Sequence, residues 1–233
     1  SRLCERACGG AVRMVLLMHL SIENLVLKRG ERRIVGPLDL QLSEGCSVAV
    51  RGPNGAGKST LLRAIAELLP IDSGRIQLSG EGISADLPRR ESCHYFGHLD
   101  GLKSALTVGE NLSFFQQLYG LESGLLSIES ALDAVALGHT TALPVAYLSA
   151  GMRKRVALAR LLLNKRALWL LDEPTSALDT ASQERLGTMM RDHLASGGMI
   201  VAATHLPLPG GSSNVLEIMP AAAQVADFEE AWL

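Results

Sequence analysis

Polar and apolar residues alternate through His19-Leu20-Ser21-Ile22-Glu23-Asn24-Leu25, a period of two that predicts a β-strand at a sheet edge. Leu38-Asp39-Leu40-Gln41-Leu42 repeats the pattern. Cys46 to Val50 is instead a short apolar run before glycines, which suits a parallel strand buried on both faces. Lys58 to Leu69 reads as a helix stopped near Pro70, and Arg75 to Leu78 as a further strand.

A helical stretch follows. Thr107-Val108-Gly109-Glu110 matches a capping box, with Thr107 as N-cap and Glu110 reaching back, and opens a helix to about Tyr119. A second helix is expected over Leu125 to Leu137 and a third from about Ala150 to Leu163. Strand and helix then alternate again: Ala167 to Leu171, Ala181 to Leu194, Met199 to Ala203, and a last strand over Val215 to Met219. This alternation predicts an α/β fold with a parallel sheet and right-handed crossovers. The helical insert predicts a smaller subdomain.

The 233 residues fit one sizeable α/β domain, or at most two small ones, and a hydrophobic share of 47% can fill a continuous core. Net charge is −2 with no basic stripe, which argues against a nucleic-acid partner. Cys4, Cys8, Cys46 and Cys93 form no CxxC pair, so a reducing compartment is expected, with Cys46 as a buried thiol in its strand. No run approaches the ~20 apolar residues of a membrane span. Ala11 to Leu20 is apolar apart from Arg13 and His19, and faintly resembles a signal peptide. Both Met14 and Met18 are candidate initiators. Residues 1–17 are therefore read as a disordered extension or a start-site artefact, and 18–233 as the domain.

Gly52-Pro53-Asn54-Gly55-Ala56-Gly57-Lys58-Ser59, followed by Thr60, carries the full G-x-x-x-x-G-K-[ST] spacing between a strand and a helix. The glycines let successive backbone N–H groups converge on phosphate oxygens. The following helix adds its N-terminal dipole. Lys58 is expected on the β- and γ-phosphates of ATP, and Ser59 on Mg²⁺. Further on, the apolar run Ala167-Leu168-Trp169-Leu170-Leu171 ends in Asp172-Glu173. Such a strand delivers Asp172 to the carboxyl edge of the sheet, suited to the Mg²⁺ shell, and Glu173 suits a base for the attacking water. Neighbouring strand residues face opposite ways, so the two acids can do different work.

With Leu148-Ser149-Ala150-Gly151, Ser176-Ala177-Leu178-Asp179 and Thr204-His205 after an apolar strand, the chain resembles the ATP-binding subunits of ABC transporters over roughly Met18 to Met219. The resemblance implies a P-loop NTPase fold with a RecA-like parallel-sheet core, an antiparallel β edge and a helical subdomain at about 99–155. It implies that Ser149 and Gly151, at the start of a helix, face the γ-phosphate held by a second copy in a head-to-tail dimer. His205 is then the switch histidine, catalytic with Glu173 and Lys58. Three positions depart from the usual pattern. Arg29 stands where an aromatic residue commonly stacks on adenine, and a guanidinium can also stack. Met152 replaces the signature glutamine. His98 replaces the glutamine that reaches the metal shell, and as a metal-site candidate beside Ser59 and Asp172 it could still contact that shell or water.

Cys93 to Lys103, then Leu106-Thr107-Val108-Gly109-Glu110-Asn111-Leu112, with Trp169 and Arg29, resemble the ATPase subunits of cytochrome c maturation. That resemblance implies two copies on a CcmB-like permease, with CcmC- and CcmE-like proteins, at the cytoplasmic face of a bacterial inner membrane. The work would be heme export or release of a heme-loaded carrier. Cys93, His94 and His98 could be read as a heme or metal site, but consecutive strand residues face apart, so a structural strand is expected. A soluble ABC ATPase acting on nucleic acid or the ribosome would carry two modules or a long coiled coil, and neither is present. A non-hydrolysing scaffold would lose Lys58 or Glu173. Arg153-Lys154-Arg155 could be a partner contact or a phosphate-sensing patch, and reads by default as a solvated helix face.

Overall fold

The computed structural model describes residues 17–84, 86–118, 126–212 and 214–220. The extension, apart from Leu17, lies outside these residues, as do Tyr119 and Leu125 at two predicted helix ends. Two sheets form the frame. One is antiparallel, of β1 (His19–Arg29), β2 (Arg32–Ser43) and β4 (Ser73–Ser79), in the order β2-β1-β4. The other is parallel, of β3 (Ser47–Arg51), β5 (Cys93–Phe96), β6 (Leu168–Asp172), β7 (Met199–Ala203) and β8 (Asn214–Glu217), in the order β5-β6-β7-β3-β8. The helices are α1 (Lys58–Ile65), α2 (Val108–Leu118), α3 (Ile128–Ala134), α4 (Ala150–Leu163) and α5 (Thr180–Ala195).

β1 is the middle strand of its sheet, not an edge, because it pairs with β2 on one side and β4 on the other. Its alternation reports one buried and one exposed face, which says nothing about lateral neighbours. α1 stops at Ile65, short of the expected Leu69, since Glu67 turns left-handed with φ 56°. α3 is likewise shorter than predicted. Cys46 is half-buried and precedes β3 rather than lying in it.

The parallel strands alternate between two cores. Val48, Val50, Leu168, Leu170, Met199 and Val201 pack with α1 and the antiparallel sheet. Ala49, Phe96, Trp169, Leu171, Ile200 and Ala202 pack with α2 to α5. Each fully buried Leu or Val contributes about 1.5–3 kcal/mol, so these central strands hold their carboxyl ends rigidly. The capping box forms as expected. Glu110 N–H donates to Thr107 Oγ1 at 3.1 Å, and Thr107 N–H donates to the Glu110 carboxylate at 2.8 Å.

Candidate functional site

Strand order decides which distant segments meet. β6, β7 and β3 are neighbours, so the turns after them converge: Asp172-Glu173, Thr204-His205 and the 52–59 loop. They line a cleft of about 600 Å³ together with Asn54, Gly55, Gly57, Lys58, Ser59, Thr60 and Arg29. Gly52, Pro53 and Ala56 belong to the same loop, whereas His98, Ser149 and Gly151 do not line the cleft.

The loop's backbone needs glycine at two tight points. Gly52 has φ 147° and a Cβ there would strike the Ile218 carbonyl oxygen. Gly57 has φ 101° and a Cβ would run into the γ-methyls of Val35 and Ile34. Gly57 also caps α1 without a side chain, so the first helical N–H groups stay open to an anion, and no acid sits in that first turn. Lys58 is buried and folds back on the loop. Its Nζ donates to the carbonyls of Gly52 at 2.8 Å and Pro53 at 3.1 Å, and stands 3.2 Å from His205 Nε2.

The same Nε2 lies 2.9 Å from Asn54 Oδ1 and 3.4 Å from Glu173 Oε1. One ring nitrogen thus faces one donor and two acceptors. Protonated, it donates to Asn54 or Glu173; unprotonated, it accepts from Lys58. Thr204 sets the ring's place: it is fully buried, and its Oγ1 accepts from Leu206 N–H at 3.0 Å.

Asp172 ends β6 at 4% exposure, which a carboxylate tolerates only with partners. Tyr95 on β5 faces the same side as Leu170 and Asp172. Its hydroxyl accepts from Arg63 Nε at 3.2 Å and hydrogen-bonds the Asp172 carboxylate. Burial foremost raises the phenol pKa, and the Asp172 charge adds to that.

Glu173 does not continue the strand's alternation. It turns left-handed with φ 48°, a conformation that costs a non-glycine residue about 1–2 kcal/mol. The surroundings fix it there. Its N–H donates to the Ala203 carbonyl at 2.9 Å, and its own carbonyl accepts from Ser176 Oγ at 2.9 Å and Lys154 Nζ at 3.2 Å. Lys154 overturns the solvated-face reading of 153–155. It is buried, donates also to Ser176 Oγ, and stands 4.6 Å over the Phe96 ring. Burial lowers its pKa, opposed by the charges of Asp172, Glu173 and Asp100. Arg153 pairs with Asp100 at 3.3 Å, and Arg155 donates to the Val135 carbonyl at 3.2 Å.

Tyr95, Arg63 and Lys154 were not legible in the sequence. Their roles depend on which strands adjoin and which helix face points inward.

Ser149 caps α4, accepting from Met152 N–H at 3.2 Å, and is exposed. Gly151 packs beside Ala177, where a Cβ would come within 3.2 Å of the carbonyl oxygen. Met152, in the glutamine's place, packs on the helical core. Arg29 is exposed at the cleft rim. His98 is exposed in the loop after β5 and does not line the cleft that holds Ser59 and Asp172. Cys93 and His94 are buried and structural. Burial pushes the thiol up to about 12 and the imidazole down to about 4, and His94 Nε2 meets the Asn164 carbonyl at 2.8 Å.

Residues 35–176 match the family model described as ABC transporter. The chain is 51% identical over 201 residues to the cytochrome c biogenesis ATP-binding export protein CcmA of Bradyrhizobium diazoefficiens, covering 86% of this chain and 98% of that one. It is 51% identical over 191 residues to the protein of the same description from Nitrobacter winogradskyi, covering 82% and 94%. A solved ABC transporter ATP-binding protein from Pyrococcus furiosus shares the fold, with a TM-score of 0.72 at 23% identity over 86% of this chain and 97% of that one. The chain therefore belongs to the ATP-binding proteins of ABC transporters and, among them, to the cytochrome c biogenesis ATP-binding export proteins.

Proposed function

We propose that this chain is the ATP-hydrolysing subunit of an ABC exporter in cytochrome c biogenesis, driving heme export or release of a heme-loaded carrier. The observation that carries the reading is the convergence of the glycine loop, Lys58, Asp172, Glu173 and His205 in one cleft. In this reading the N–H groups of the loop from Gly52 to Thr60, Pro53 excepted, hold the β- and γ-phosphates, and Lys58 leaves the Gly52 and Pro53 carbonyls to pair with them. Glu173 orients or deprotonates the attacking water. His205, able to donate or accept, contacts the γ-phosphate. Arg29 stacks on adenine.

The donor set fits Mg²⁺. Ser59 and Asp172 share the cleft, and among the described residues no cluster of three or more His, Cys, Asp or Glu forms an all-protein cage. Magnesium favours few protein ligands beside phosphate and water, and when bound it neutralises phosphate charge. Ser59 and Asp172 would hold it. His98 does not line this cleft.

Ser149 and Gly151 at the α4 N-terminus serve a second copy's nucleotide in a head-to-tail dimer. A CcmB-like permease, with CcmC- and CcmE-like proteins, completes the complex at the cytoplasmic face of the inner membrane. Among the described residues no helix is long and apolar enough to cross a membrane, and the segment around α2 exposes Leu99, Phe114 and Leu118 to a partner.

Deleting the chain from its native bacterium should leave b-type cytochromes intact and c-type cytochromes without heme. A tagged chain should co-purify with a membrane permease. Normal heme attachment in the deletion strain refutes the reading.

A further inference from the structure

At the other end of β6 from Asp172, α4 and α5 leave a hollow of about 590 Å³ that the nucleotide chemistry does not use. That size lies within the range of small-ligand pockets. Its floor is apolar: Leu161, Trp169 and Met189 are each buried. Trp169 stacks on His193 with centroids 4.0 Å apart and planes within 7°. Burial holds the His193 pKa down at about 4, and its Nε2 meets the Met199 carbonyl at 3.2 Å, so it offers a neutral ring.

The rim is cationic. Lys165, Arg166 and Arg185 line it against one carboxylate, Asp192. Arg166 is tied to Glu91 at 3.8 Å. Lys165 and Arg185 form no salt bridge with a described residue. A second hollow of about 510 Å³ shares Lys165, Arg166 and His193, so cations stand where the two join.

We propose that this hollow binds a soluble amphipathic organic anion, an apolar chain or ring system ending in a carboxylate. The apolar body lies on Leu161, Trp169 and Met189, and the carboxylate meets Lys165 and Arg185. The cations select this occupant. A second copy's identical face would bring like charges together, and a neutral apolar molecule would gain nothing from a rim that sets three cations against one carboxylate. The site is spatially separate from the nucleotide cleft: the two linings share no residue, and Trp169 and Asp172 lie three residues apart on β6, about 10 Å.

The test uses the full chain with Trp232→Phe. Trp169 and Trp232 are its two tryptophans, so the remaining fluorescence reports the hollow directly. Titration with decanoate should give a saturable change with a midpoint below about 1 mM, or about −4 kcal/mol. Decanol should bind at least about tenfold more weakly. Lys165→Glu with Arg185→Glu should weaken decanoate at least about tenfold, a loss of about 1.4 kcal/mol. Saturating MgATP should leave the midpoint unchanged. A flat titration overturns the proposal. So does equal binding of decanol, which needs no charge variant, or equal binding by the charge-reversed protein. Displacement by ATP also overturns it, since decanoate would then occupy the nucleotide cleft.

Discussion

Replacing Glu173 by Gln changes one atom of the proposed base and little else. The variant keeps the backbone bonds that hold the left-handed turn: the N–H to Ala203, and the carbonyl to Ser176 Oγ and Lys154 Nζ. The amide oxygen still offers His205 Nε2 an acceptor where the carboxylate now stands 3.4 Å away. Folding stability should therefore move by less than about 1 kcal/mol, the range of a substitution that leaves its neighbours satisfied. What is lost is the ability to accept the water's proton. General-base catalysis contributes about a hundredfold to ten-thousandfold, so kcat should fall at least about a hundredfold, or about 2.7 kcal/mol of transition-state stabilisation. The KM for ATP should stay within about twofold, because Glu173 does not belong to the phosphate loop. The assay is steady-state phosphate release by the permease complex in vesicles, with nucleotide retention measured in parallel. Turnover within tenfold of the parent, or a raised KM at unchanged kcat, refutes the assignment of Glu173 as base.

Lys58→Ala should abolish hydrolysis by the assembled complex and weaken nucleotide retention, read by filter binding and phosphate release, since the ammonium is the loop's own cation. Thr107→Ala should cost about 1 kcal/mol in urea unfolding, because Glu110 N–H loses its acceptor at the start of α2. Acid should destabilise the fold through His94. Its folded pKa of about 4 lies below the ordinary 6.5, so its contribution is complete above about pH 6.5 and is lost as pH falls toward 4. Between pH 7.5 and 5.0 this amounts to about 2 kcal/mol. His94→Gln should remove about that much pH dependence from urea midpoints, and an unchanged pH slope would refute the buried neutral histidine.

Local chemistry was legible in the chain itself. The glycine spacing around Lys58 named the phosphate loop, because closely packed backbone allows no Cβ at Gly52 or Gly57. Thr107 and Glu110 named a helix start, because their bonds close within four residues. α4 and β7 begin and end where the apolar pattern put them. The structure alone decided what depends on neighbours distant in sequence. Alternation in His19 to Leu25 showed a buried face and could not show that β1 has strands on both sides. Strand parity could not foresee that Glu173 turns left-handed, since the Ala203 and Lys154 contacts that help hold it come from elsewhere in the chain. Lys154 read as a surface charge until α4 turned it over Phe96, and Tyr95 met Asp172 only once β5 lay beside β6. Sequence fixes what short-range sterics and hydrogen bonds enforce. The placing of one group against another waits on the order in which buried strands pack.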